Sequence, residues 1–201
     1  EKENRELLVQ SQLEVLTYCA ETDIPVIVVE YELPLPEKTI DCLLDKIQSV
    51  PRNRSTIKTT DNAMLSSRPN VRRILRSFEV DYLVLMGVNA FSFVKSTAST
   101  CLKRGYKIAT SGDVISDDIG YDFISLRDPP DDKIPIYGGG LVFYRTKCDF
   151  FNTHKDLIAH LEERRLILKT SFKADGQSSG MKLLELILYI IELDVFLKLM
   201  W

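Results

Sequence analysis

The sequence lacks most of the marks that identify a metal centre or an oxidising compartment. Its four cysteines are far apart and form no CxxC pair, so it predicts neither a zinc knuckle nor a disulfide framework. They are Cys19, Cys42, Cys101 and Cys148. No positively charged start followed by an apolar run is visible, so no targeting signal is recognised. We therefore expect a reducing, intracellular compartment, either the cytoplasm or the interior of an organelle.

Neither a charge excess nor ligand spacing points to a nucleic acid, a metal or a cofactor. The formal net charge is −3, and Lys and Arg occur only in short groups typical of solvated surfaces, so no nucleic-acid partner is expected. His154 and His160 do not have the i, i+4 spacing of paired ligands, and the acids between Asp117 and Gly140 lack EF-hand spacing. The run from Gly138 to Gly140 is followed by no Lys-Ser/Thr, so it predicts a hinge before a strand from Leu141 to Tyr144. We expect no metal and no cofactor.

What the sequence does contain is an alternation of helical patterns with short apolar runs. Helices are predicted over residues 1–21 and 37–50 and from a start at Ser67, and strands over residues 24–31, 56–58, 82–86 and 106–110. The near-continuous apolarity of Ile24–Tyr31 is typical of a parallel strand covered on both faces. The pattern predicts an α/β fold, a doubly wound, mostly parallel sheet with helices on both faces.

The C-terminal part divides into a helix, a linker and an apolar tail. Thr153 and Asp156 are spaced as a helix cap, and residues 170–180 are polar and Gly/Ser-rich. We therefore expect a domain over residues 1–169, a linker over 170–180 and an apolar segment, helix or strand, over 181–201. Charged residues interrupt the tail, so it predicts no membrane span.

The sequence is compatible with two structures for this tail. A helix docked on its own domain or on another subunit is favoured. Docking on another chain would make the protein a homo-oligomer or give it a protein partner. The alternative is a strand in a rearranged topology, since Ile187–Asp194 is an apolar run that ends in a carboxylate.

The stretch from Val80 to Ser116 is the first place to look for function. It reads as a buried strand, a sharp turn over Gly87–Ala90 and a helix that begins at once. Ligands collect at the carboxyl ends of strands in open α/β sheets, because free backbone N–H groups point outward there.

Three segments together carry a likeness to a known family. They are IPVIVVEY (residues 24–31), the lysine element Ile57–Met64, and GVNAFSFVKSTASTCLKRGYKIATSGDVIS from Gly87. With them the sequence resembles the isochorismatase-like (cysteine) hydrolases. The resemblance implies an Asp–Lys–Cys triad, with the lysine at Lys58 and an oxyanion turn, often containing a cis peptide, at Val88, Asn89 and Ala90. It places the nucleophile at Phe93.

The chain departs from the family at two of the three catalytic positions. A phenyl ring cannot attack a carbonyl, so Phe93 marks a degenerate nucleophile position, and the next thiol, Cys101, reads as a small buried side chain. The family's aspartate ends a first strand that is not visible before the first helix. We therefore predict a structural or interaction subunit without catalysis. The alternative is a hydrolase that acts on a small amide or vinyl ether without a cysteine. Lys58 as a plain surface lysine, and Phe93 as plain core packing, also stay open.

Overall fold

The computed structural model describes residues 2–32, 39–119, 122–125, 140–174 and 185–190. The helices are α1 Lys2–Thr22, α2 Asp41–Ser49, α3 Ala63–Ser66, α4 Val71–Phe78, a π-helix Ala90–Val94, α5 Lys95–Lys103, α6 Gly140–Lys147 and α7 His154–Ala174. The strands are β1 Val26–Tyr31, β2 Asn53–Lys58, β3 Tyr82–Gly87, β4 Lys107–Ser111, β5 Ser116–Ile119, β6 Asp122–Ser125, β7 Asp149–Phe151 and β8 Glu185–Ile190.

Six of the strands form one parallel sheet in the order β2-β1-β8-β3-β4-β7. All six residues of β3 and the first four of β1 are buried, so the sheet is covered on both faces there. One group of packed helices contains α1, α2 and α7, and another contains α3, α4 and α5. β5 and β6 form a separate antiparallel hairpin. The prediction of an α/β fold with a mostly parallel sheet is confirmed.

The centre of the sheet is occupied by β8, which comes from the apolar C-terminal tail. β8 pairs in parallel with β1 on one side, Val26 opposite Ile187, and with β3 on the other, Gly87 opposite Ile190. The rearranged topology, and not the docked helix, is therefore what the structure has over Glu185–Ile190. Asp194, the carboxylate at the end of the predicted run, lies outside the described residues.

The start of α4 differs from the sequence expectation because two side chains share the capping of its first turn. Asn70 is the N-cap and its side chain accepts a hydrogen bond from the Arg72 N–H at 3.0 Å. Ser67, the predicted cap, accepts from the Val71 N–H at 2.8 Å through its hydroxyl. An Asn at the N-cap is among the strongest signals for a helix start.

Two predictions in the C-terminal half are wrong in part. Residues from Leu141 to Tyr144 form the first turns of α6 rather than a strand, and Gly140 begins this helix instead of ending a hinge. Tyr144 is buried there, which shows that one face of α6 packs inward. The predicted linker begins too early, because α7 continues to Ala174. Thr153 does cap α7: its Oγ1 accepts from the Asp156 N–H at 3.2 Å.

Within the described ranges, no helix combines the length and the apolar character needed to cross a membrane.

Candidate functional site

The turn after β3 is built by a close network of backbone hydrogen bonds. Gly87 has a φ of 127°, a conformation that favours glycine, and the Val88–Asn89 peptide bond is cis. The Ala90 carbonyl accepts a hydrogen bond from the Lys95 N–H, as a π-helix requires, and a second from the buried Tyr144 hydroxyl at 2.6 Å. Asn89 and Ala90 are buried and Val88 is half-buried. The turn is thus held by β3, which ends at Gly87, and by the hydrogen bond from Tyr144 of α6.

Lys58 is the last residue of β2 and lies, like this turn, at the carboxyl ends of the parallel strands. It is opposite Tyr31, the last residue of β1, and its side chain is fully buried. The Lys58 Nζ lies 5.4 Å from the centre of the Tyr31 ring, within range of a cation–π interaction. Because this side chain is fully buried, Lys58 is not a plain surface lysine. A buried ammonium is costly unless its charge is compensated.

Phe93 projects from the π-helix onto the same ammonium. Its ring centre is 4.4 Å from the Lys58 Nζ and 6.3 Å from the centre of the Tyr31 ring. The two rings therefore form an aromatic cage around the lysine, which we define as Tyr31, Lys58 and Phe93. At the position where the resemblance expects a nucleophile, the chain has Phe93, whose ring packs on the Lys58 ammonium.

The lysine element is anchored to α5 by Asn62. The Asn62 side chain caps α3 by accepting from the Met64 N–H, and donates to the Ser96 carbonyl at 3.0 Å and to the Thr100 hydroxyl at 2.7 Å. The Thr97 hydroxyl, fully buried, accepts from the Ala63 N–H at 3.1 Å. These bonds fix the spacing between Lys58 and the helix that follows Phe93.

Comparison with solved structures identifies the fold. An isochorismatase-like hydrolase from Alkaliphilus metalliredigens superposes with a TM-score of 0.60 at 15% identity, over 79% of this chain and 86% of its own. A nicotinamidase from Staphylococcus aureus gives 0.56 at 13% identity, over 72% and 82%. The chain has the isochorismatase-like hydrolase fold. A ribonuclease from Caenorhabditis elegans is similar as well, with a TM-score of 0.59 at 16% identity over 76% and 69%. No family model matches the sequence, and no curated protein matches it significantly.

In this isochorismatase-like fold, the sequence-predicted residues converge at one edge of the sheet. Lys58 and Phe93 are in contact, and Val88, Asn89 and Ala90 form the turn that leads into the π-helix. The roles that the resemblance gives them stay predictions. Tyr31 was missed, because only the register of β1 against β2 places it opposite Lys58.

The two histidines are not part of this site, and each contacts different residues. The His160 Nε2 lies 2.9 Å from the Tyr82 hydroxyl, whereas His154 lies between the carboxylates of Asp113 and Glu14. In the part of the chain that the structure describes, no three His, Cys, Asp or Glu side chains are arranged to hold a metal ion. Sequence reasoning considered the histidines only as metal ligands, and so it missed the carboxylates that bind His154.

We predict that the Cys101 thiol is unreactive in the folded protein. It is fully buried on α5, and burial raises the pKa of its thiol to about 12. Because the thiolate is the reactive form, iodoacetamide at about pH 8 should alkylate exposed Cys42 readily in the native protein and Cys101 only after unfolding. Peptide mass spectrometry reads both rates. Native labelling of Cys101 as fast as that of Cys42 would contradict this account.

Proposed function

We propose that this chain is a catalytically degenerate isochorismatase-like protein that serves as a structural or interaction subunit. The observation that supports it is the aromatic cage: the Phe93 ring lies 4.4 Å from the Lys58 ammonium at the position of the family's nucleophile. A phenyl ring offers no lone pair to a carbonyl carbon and no proton to a leaving group, so covalent catalysis has no agent at this position.

The cage also occupies the space and the charge that a substrate would need. The Lys58 side chain is fully buried and Phe93 is half-buried with its ring over the ammonium, so a substrate carbonyl that approaches from this side would have to displace the ring. The Lys58 cation is held by two aromatic faces, an interaction that strengthens when water is excluded. The lysine then serves the stability of the fold.

A hydrolase without a cysteine is the second candidate, and the position of β8 favours it. This strand ends at Ile190, opposite Gly87, and Glu192 and Asp194 follow within the next four residues of the sequence. The resemblance places the catalytic aspartate after a strand in this position. A carboxylic acid there would protonate a vinyl ether without any thiol, a form of general acid catalysis.

An activity panel distinguishes the two candidates. The full chain is assayed on small amides, on vinyl ethers and, because one structural neighbour is a ribonuclease, on single-stranded RNA. We expect no turnover above that of an Asp194→Asn variant purified in the same way. Turnover by the wild type that Asp194→Asn abolishes, with unchanged unfolding, would establish the hydrolase instead.

Sedimentation of the full chain over a range of concentrations tests the structural part of the proposal. A self-associated form supports a structural subunit. A monomer at every concentration, together with turnover of any substrate in the panel, would contradict it.

A further inference from the structure

A second cluster of titratable side chains contains none of the residues of the aromatic cage. The His154 Nδ1 is 2.7 Å from Asp113 Oδ2, and its Nε2 is 2.7 Å from Glu14 Oε2. His154 is the first residue of α7, Glu14 lies on α1, and Asp113 follows β4. We call these three residues the carboxylate clamp. Its three residues line a cleft of about 300 Å³ together with other residues of α1, the segment after β4 and the start of α7.

The other hydrogen bonds of the clamp show which atoms are acceptors. Asp113 Oδ1 accepts from the Ser111 hydroxyl at 2.7 Å, and Asp113 Oδ2 also lies 3.4 Å from the Ser11 hydroxyl. Glu14 Oε1 accepts from the Gln10 Nε2 at 3.0 Å. Each carboxylate therefore accepts a hydrogen bond from an uncharged side chain in addition to its contact with His154. An ionised carboxylate cannot donate, so with both acids ionised the two ring nitrogens of His154 would be the donors.

The pKa of Glu14 is consistent with this assignment. The hydrogen bond from Gln10 lowers it most, followed by the hydrogen bond from His154, against a smaller opposing effect of burial. Glu14 thus stays ionised below the usual range of a glutamic acid. Any stability that its ionised form contributes is present above that range and is lost only as the pH falls through its lowered pKa.

The charges around the imidazole favour a cation there. Besides Glu14 and Asp113, the charged residues nearest in the chain are Lys155, which lines the same cleft, and Asp156, which bonds to the Thr153 hydroxyl. The start of α7 carries the positive end of the helix dipole and opposes a cation. Two charge-assisted hydrogen bonds outweigh that effect, since each is stronger than the interaction of a charge with a helix end.

The segment that carries Asp113 is connected to the turn at Gly87 by the two residues that follow it. The residue after Asp113 is Val114, whose carbonyl accepts from the Gln12 side chain of α1 at 2.9 Å and from the Gly87 N–H at 3.0 Å. Ile115 also forms a β-bridge with Gly87. The Val114 carbonyl therefore joins α1 to the backbone at which the turn begins.

We propose that His154 holds a proton on each ring nitrogen and so clamps α1 to the segment after β4, and that loss of one proton as the pH rises loosens this segment beside the Gly87 turn. Neutral imidazole has one N–H and can satisfy only one carboxylate. The device does not depend on whether the neighbouring site is catalytic.

The protonation state can be observed directly by nitrogen-15 NMR of the imidazoles. The chain contains two histidines, so assignment needs a single His160→Gln variant. At about pH 6 both nitrogens of His154 should carry a proton, and at about pH 9 one of them should be bare. Detection of a single proton on His154 at about pH 6 would overturn the proposal.

Urea unfolding tests the consequence for stability, with His154→Gln compared with His160→Gln. A glutamine can still donate to one carboxylate, so at about pH 6 His154→Gln should raise the unfolding equilibrium constant about tenfold, equivalent to one charge-assisted hydrogen bond. At about pH 9 the neutral imidazole also donates one bond, and the difference should approach zero. His160→Gln should show no such pH dependence. A His154→Gln effect that is equal at both pH values would contradict the clamp.

Two further readouts separate the clamp from a purely local effect. Glu14→Gln, at a half-exposed position where folding is not at risk, should remove most of the pH dependence of the difference. The amide resonance of Gly87 should shift with pH in the wild type and stay constant in His154→Gln. A Gly87 resonance that shifts equally in both proteins would show that the clamp does not reach the turn.

Discussion

A chain that ends at residue 180 is expected to lose cooperative unfolding altogether. Truncation there removes β8, which lies between β1 and β3 and pairs with both over most of its length. Without it the backbone N–H and C=O groups along one side of each neighbouring strand lose their partners in the middle of the core. Buried backbone groups without partners cost free energy at every position, and a typical domain is stable by only about 5–15 kcal/mol. Circular dichroism during urea titration measures the transition.

A single substitution tests the same point without shortening the chain. Leu188 pairs with Ile27 on one side and Leu85 on the other, so its backbone has a neighbour in both directions. Leu188→Pro should destabilise the domain by about 2 kcal/mol or more, because proline removes a ladder hydrogen bond in a central strand and leaves a buried partner group unsatisfied.

The matched control is the same substitution at Ser55 in β2, an edge strand. The N–H groups of Val26 and Glu32 donate to the carbonyls of Arg52 and Lys58, so the even-numbered residues of β2 face β1 and the Ser55 N–H points away. Ser55→Pro should therefore cost less than about 1 kcal/mol, as proline is tolerated on an edge strand. Equal effects of the two prolines, or a cooperative transition in the truncated chain, would contradict a central β8.

The sequence correctly predicts those strands whose apolar runs are bounded by turn residues. β1 and β3 are short apolar runs that end in turns, and a strand covered on both faces needs little else. The tail is different, since a long apolar run fits a buried helix as well as a buried strand. Only its pairing with β1 and β3 decides between them, and that pairing joins residues more than a hundred positions apart. α6 was missed because Gly138–Gly140 suggested a break where Gly140 begins a helix.

The candidate site divides in the same way between local and non-local information. Lys58 and Phe93 follow from motifs that resemble a family, whereas Tyr31 became visible only when β1 and β2 were seen in register. His154 shows the limit more clearly, since its partners lie 41 and 140 residues away. No spacing rule links such positions, because the contacts arise from the packing of α1 and α7.

In the aromatic cage, loss of the Phe93 ring should lower the stability of the fold. Phe93→Leu keeps an apolar side chain but removes the aromatic face, and we expect a loss of about 2 kcal/mol from packing and the cation–π interaction together. Lys58→Met keeps the length of the side chain and removes the charge. Because a buried charge can be replaced by an apolar group at little net cost, this single variant alone is not informative.

The double-mutant cycle isolates the contact between the Phe93 ring and the Lys58 ammonium, 4.4 Å apart. If the ring stabilises the cation, Phe93→Leu should cost about 1–2 kcal/mol less in the Lys58→Met background than in the wild type. Phe91→Leu, on the same π-helix and also half-buried, is the matched control and should be additive with Lys58→Met. Additivity for Phe93, within about 0.5 kcal/mol, would show that the ring merely fills space. Coupling at Phe93 alone would mean that the cage compensates the buried lysine, so that the residue at the position where the resemblance expects a nucleophile stabilises the Lys58 cation instead.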